Sequence, residues 1–109
     1  MQNNYKIVIE KFAKSDLIEI YNYIANTLVN KEAAINLLNR INNKFILLSL
    51  FPKSSPIINN EYVNKENLRK TTIDNYIIFY EINEEHKEII IIIIIIRIIS
   101  NMMNYIDIL

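Results

Sequence analysis

The 109-residue chain contains no cysteine, no glycine and no tryptophan, and its one histidine is His86. Without cysteine there is no disulfide framework, no thiolate zinc site and no cysteine nucleophile. Without glycine, the phosphate-cradling loops, the dinucleotide fingerprint and the nucleophile elbow are all excluded. A single histidine cannot supply a triad and a ligand set together. Twelve Lys and Arg balance twelve Asp and Glu, so no global basic field advertises nucleic acid.

What is present reads as a folded chain. Apolar residues make up 51% and charged residues 22%, outside the range of disordered sequences. The length predicts one compact domain over 1–109, with enough buried surface for a core without staples. Isoleucine and asparagine are abundant, a pattern that resembles A- and T-rich coding drift. Their identities therefore say little more than "apolar" and "polar turn". Asparagine is the expected occupant of left-handed backbone positions where glycine would otherwise sit.

The run Ile89 to Ile96 is eight residues long, whereas a membrane-spanning helix needs about 20. It reads as a buried strand, because isoleucine favours strands. The opening Met1-Gln2-Asn3-Asn4 lacks the basic-then-apolar pattern of an export signal, so the cytoplasm is the expected location, with no membrane partner.

The hydrophobic period changes along the chain. Tyr5 to Glu10 alternates as a half-buried strand. Ala13, Leu17, Ile20, Tyr21, Ile24 and Leu28 then recur at helical spacing, with Ser15 or a neighbour as the candidate cap and Asp16 and Glu19 near the positive helix end. Asn30 is a candidate cap for a second helix, striped by Ala34, Leu38, Ile41, Phe45 and Leu48. The short connection implies an antiparallel helical hairpin. Phe51-Pro52 ends it, and Pro52 to Asn64 reads as a loop. Asn67 to Ile73 and Tyr76 to Ile82 are strands joined at Asp74-Asn75. Asn83 to Lys87 is a turn, and Ile89 to Ile99 is the last strand. Met102 to Leu109 is a final turn or tail. The fold class is α+β: an N-terminal strand, a helical hairpin and a three-stranded antiparallel meander, with the helices on one face of a four-stranded sheet.

A two-residue turn at 74–75 sets Ile73 opposite Tyr76, and the remaining parity follows. One face carries Arg69, Thr71, Ile73, Tyr76, Ile78, Tyr80 and Ile82. The other carries Leu68, Lys70, Thr72, Ile77, Phe79 and Glu81. The helices should cover the first face, since burying Lys70 and Glu81 under them is costly. The second face should then be open, with Leu68, Ile77 and Phe79 forming an apolar patch rimmed by Lys70 and Glu81. Those five residues are the candidate partner-binding set. The C-terminal segment or a second copy is the alternative cover.

The segment from Asn67 to Ile82, with its Arg-Lys strand and Asn75-Tyr76-Ile77-Ile78-Phe79-Tyr80, resembles the central hairpin of the RelE/ParE toxin superfamily. Tyr5-Lys6-Ile7, Ala13 and Asp16 to Ile24 resemble that family's first strand and helix. Phe51-Pro52 and Pro56 resemble its linker. Arg97-Ile98-Ile99, Tyr105 and Leu109 resemble its last strand and tail. The resemblance implies the toxin of a type II toxin–antitoxin pair. That role carries growth inhibition, plasmid stabilisation, a cognate antitoxin partner in a hetero-oligomer, and no metal or cofactor. Some relatives cut messenger RNA on the ribosome, and the ParE-like ones poison DNA gyrase.

RNA cleavage of the first kind needs cations gathered on one phosphate, with a base and an acid beside them. Carried over by position, Lys70 matches a basic position of the second strand. Ile77 stands where a nuclease arginine is expected. Met102 and Met103 stand where relatives have Arg or Lys, and Ser100 where His or Tyr is common. The remaining catalytic candidates are Lys70, Arg69 and Arg97. The depleted set favours the ParE-like branch. His86, Glu84, Glu85 and Glu88 read as a solvated turn and not as a metal site.

Overall fold

The computed structural model describes residues 4–58 and 67–96. The described elements are β1 (Lys6–Ile9), α1 (Lys11–Asn22), a π-helical turn (Tyr23–Thr27), α2 (Lys31–Leu50), β2 (Arg69–Ile73), β3 (Tyr76–Asn83) and β4 (Glu88–Ile96). The sheet order is β1-β4-β3-β2. The meander is antiparallel, and β1 lies parallel to β4, so the sheet is mixed. Arg97 and the tail from 98 to 109 lie outside the described residues, as does the expected loop from 59 to 64.

Helix α1 starts earlier than its sequence pattern suggests. Glu10 occupies the cap position with no side-chain hydrogen bond, and no acidic residue lies in the first turn. Ser15 is therefore inside the helix, and Asp16 and Glu19 sit beyond the first turn. The helix then widens into the π-helical turn, where the Leu28 N–H donates to the Tyr23 carbonyl at 3.0 Å. Val29 follows with φ 52, and the Asn30 N–H closes back on the Ile24 carbonyl at 3.0 Å. This left-handed residue with a long-range closing bond is how helices commonly end, though glycine usually takes the place of valine. The next helix is capped as its sequence predicts: the Asn30 Oδ1 accepts from the Ala33 N–H at 3.1 Å, and Glu32 lies in the first turn.

The helices pack on one sheet face. Ala13, Ile20, Leu37, Ile41, Phe45 and Leu48 form one core with Ile78, Tyr80, Ile89, Ile91 and Ile94. The C-terminal end of α2 is stitched to β1 at two points. The Tyr5 N–H donates to the Ser49 carbonyl at 3.0 Å, and the Ser49 hydroxyl donates to the Tyr5 carbonyl at 2.6 Å. Arg40 of α2 reaches the β2–β3 turn, where its Nη2 lies 2.6 Å from the Asp74 Oδ2.

The turn register is the predicted one, with Ile73 opposite Tyr76 and Arg69 opposite Tyr80. The register of β4 is not readable from its identical residues. A bulge shifts the pairing between Phe79, opposite Ile93, and Tyr80, opposite Ile91. The extra residue, Ile92, flips the alternation. Ile89, Ile91 and Ile94 consequently all join the helix-side core, whereas Ile93 and Ile95 face the other way.

That other face departs from expectation. Leu68, Ile77 and Phe79 lie on it as parity predicts, but they are only 2%, 1% and 0% exposed. They form a second small core with Ile58 from the loop and Ile92, Ile93 and Ile95 from β4 packed against it. These side chains stand on the face that parity assigns them, but they are buried and not open, with the loop residue Ile58 among the side chains packed on them. The exposed large apolar side chains among the described residues lie elsewhere, mostly on the outer surface of the helices and their ends, as with Phe12, Ile18, Ile46 and Phe51.

Candidate functional site

Adjacent strand residues point to opposite faces, and this separates the two central candidates, Arg69 and Lys70. Arg69 is half-buried, and its Nη1 donates to the Ser55 carbonyl at 2.6 Å. Its cross-strand neighbour Tyr80 is fully buried and donates its hydroxyl to the Pro52 carbonyl at 2.9 Å. The two side chains together hold the segment 52–55 against the sheet. Burial pushes the Tyr80 phenol above its ordinary range, partly offset by hydrogen bonding at Ser55 and by the Arg69 charge. Arg69 thus braces a loop, and its acceptor among the described residues is a backbone carbonyl and not a carboxylate.

Lys70 lies on the second face, opposite Phe79, and is half-buried. Glu81 shares that face and is half-buried too, and both residues have interaction partners. Arg97 lies outside the described residues. The structure therefore does not bring Arg69 and Lys70 together. Of the expected solvated turn, Glu84, Glu85 and His86 are exposed, and the His86 backbone N–H donates to the Asn83 Oδ1 at 3.1 Å, whereas Glu88 is half-buried and opens β4. No group of three metal-ligating side chains occurs among the described residues.

Sequence reasoning missed two clusters. The first joins the β3–β4 turn to the chain's first strand. The Tyr5 hydroxyl donates to the Glu84 Oε1, and Lys53 Nζ lies 3.8 Å from the other oxygen. Lys87 Nζ stands 5.2 Å from the Tyr5 ring centroid. The Tyr5 hydrogen bond, helped by the Lys53 and Lys87 charges, holds the Glu84 carboxyl below its ordinary range. Nothing in the sequence pairs residues this far apart.

The second cluster is a cavity of about 390 Å³ between α1, the π-helical turn and the far end of the sheet, lined by Asp16, Glu19, Ile20, Tyr23, Tyr76 and Ile94. Asp16 and Glu19 stand three residues apart and Tyr23 four further on, so they neighbour one another on the helix surface. Tyr76 enters from β3, its phenol pushed up by burial first and then by the nearby Asp74 and Tyr23. The i, i+3 carboxylates were the available signal. The same spacing also fits helix-end electrostatics when the helix begins near Ser15, whereas α1 begins at Lys11.

With this geometry in hand, the chain can be compared with known proteins. Residues 7–105 match the family described as ParE toxin of type II toxin-antitoxin system, parDE. The chain belongs to the ParE toxin family. Two solved structures share its fold. The toxin–antitoxin complex RelBE2 from Mycobacterium tuberculosis aligns with a TM-score of 0.61 at 16% identity, over 86% of this chain and 92% of that one. The chromosomal ParDE system from P. aeruginosa aligns with a TM-score of 0.69 at 17% identity, over 89% of this chain and 100% of that one. No curated protein matches the chain by sequence.

Proposed function

We propose that this ParE-family toxin arrests growth by binding DNA gyrase, that it is silenced by a cognate antitoxin in a hetero-oligomer, and that it does not cut RNA. The observation that carries the reading is the separation of Arg69 from Lys70. Cleavage next to a 2′-hydroxyl requires cations aimed at one phosphate as charge develops there. Here one of the two adjacent cations is spent on the Ser55 carbonyl, and the other faces away from it. Ile77, where a nuclease relative has arginine, is a buried core residue. A protein surface for recognition is available instead: the outer helical layer exposes Phe12, Ile18 and Ile46, and the C-terminal end of α2 exposes Phe51. Exposed apolar side chains beside polar ones are what partner surfaces are built from. Lys70 and Glu81 remain in the proposed partner-binding set. Leu68, Ile77 and Phe79 enter it only as the packing that holds those two in place.

The test is a supercoiling assay with purified gyrase, relaxed plasmid and purified toxin. The expected result is loss of supercoiling that returns when the co-expressed antitoxin is added. Undiminished supercoiling, from a toxin that still arrests growth, would reject gyrase as the target. Soluble folded protein without any growth arrest would mark a degenerate antitoxin-binding homologue.

A further inference from the structure

We propose that the cavity formed by Asp16, Glu19, Tyr23 and Tyr76 is a receptor for an arginine side chain presented by a protein partner. Three observations converge on a cation of this shape. Charge is the first. Neither Asp16 nor Glu19 forms an ion pair among the described residues, and no basic residue stands three or four positions from either on the helix. The nearby Asp74 is already matched by Arg40, so among the described residues the unmatched charge at the cavity is that of the two helix carboxylates. The second is wall chemistry. Tyr23 and Tyr76 line the cavity together with Ile20 and Ile94. This suits a planar guanidinium, which stacks on aromatic faces while its aliphatic stem packs on apolar surface. A bare metal ion would find too few ligands here, since the described residues offer no group of three. The third is rigidity. Asp16, which lines the cavity, is held by the backbone of β4, its Oδ2 accepting from the Ile94 N–H at 3.0 Å. Tyr23 opens the π-helical turn, an irregularity that re-aims side chains and recurs at functional sites.

The inference rests on the partner-binding reading only for the source of the arginine, and its test reads the cavity itself. The probe is acetyl-Ala-Arg-Ala-amide titrated into the full chain and followed by NMR, against the same peptide carrying citrulline, a neutral isostere. The expected result is saturable shifts at Glu19, Tyr23 and Tyr76, with the citrulline peptide at least tenfold weaker. Glu19→Gln and Tyr23→Leu, both at exposed positions, should each weaken arginine-peptide binding several-fold. Tyr76→Phe, which keeps the ring, should retain it. Equal binding of the two peptides, shifts confined to other residues, no saturable shift, or insensitivity to both helix variants would each overturn the proposal. A failed gyrase assay would leave the cavity result standing, and an empty cavity would leave the gyrase reading standing.

Discussion

Asp16 in α1 accepts a hydrogen bond from the backbone N–H of Ile94 in β4, at 3.0 Å. The strand β1 accompanies β4 only as far as Ile91, and past it the edge of β4 has no strand partner among the described residues. A helix carboxylate takes the place of the missing strand at that point. A buried backbone donor left without an acceptor costs roughly 1–3 kcal/mol. Asp16→Ala should therefore lower stability by about that amount in urea unfolding and speed hydrogen exchange at the Ile94 amide. Asp16→Asn keeps an oxygen acceptor and should lose less. Equal loss in both variants would mean that the carboxylate charge, and not the strand contact, is what matters.

Arg69 and Tyr80 hold the segment 52–55 by separate bonds to Ser55 and Pro52. Hydrogen bonds involving a charged donor contribute about 1.5–3 kcal/mol and neutral ones about 1 kcal/mol. Arg69→Met should destabilise within the first range and Tyr80→Phe near the second. The double variant should lose less than the sum, because both bonds secure one segment. A double-mutant cycle measured by chemical unfolding checks this. Strict additivity would show that the two bonds act on independent segments.

Tyr80 also makes stability depend on alkaline pH. Its phenol is raised above the ordinary value by burial, so the folded state resists ionisation where the unfolded chain does not. The stabilisation is complete below the unfolded pKa, near 10, and is lost as pH rises from there through the folded value. Unfolding midpoints measured from neutral pH to 11 should fall at the alkaline end, and Tyr80→Phe should flatten much of that fall. Tyr76 is shifted in the same direction and would account for a residual slope.

Val29 holds a left-handed backbone at φ 52 and is 82% exposed. A β-branched residue is strained there by about 1–2 kcal/mol relative to glycine, part of which is offset by glycine's greater unfolded-state entropy. Val29→Gly should raise stability by about 0.5–1 kcal/mol, and Val29→Asn by a similar amount. Unchanged or lower thermal midpoints for both would contradict the left-handed assignment.

These positions show where the sequence was informative. Alternation and helical spacing gave the element order, the Asn30 cap and the pairing of Ile73 with Tyr76, since each is written in local chemistry. The same parity assigned Ile77 and Phe79 to the face away from the helices. It could not reveal that Ile58 packs against them from the loop, because cover is a long-range property. The bulge at Ile92 was invisible for a different reason. A run of identical isoleucines contains no internal register, so the partner strand alone decides it. Arg69 was recognisable as special, but its acceptor is a main-chain carbonyl, which no side-chain pattern encodes. Among the described residues, left-handed backbone falls at Val29, Asp74 and Lys87 and not at asparagine, because chain reversal at those points is imposed by the packing of the elements on either side.

Mapping messenger RNA 5′ ends in cells after toxin induction is the most direct test of a toxin that binds and does not cut. The account predicts growth arrest with an unchanged pattern of ends, and arrest that survives Lys70→Ala at least in part. New ends phased with codons and abolished by Lys70→Ala would contradict it.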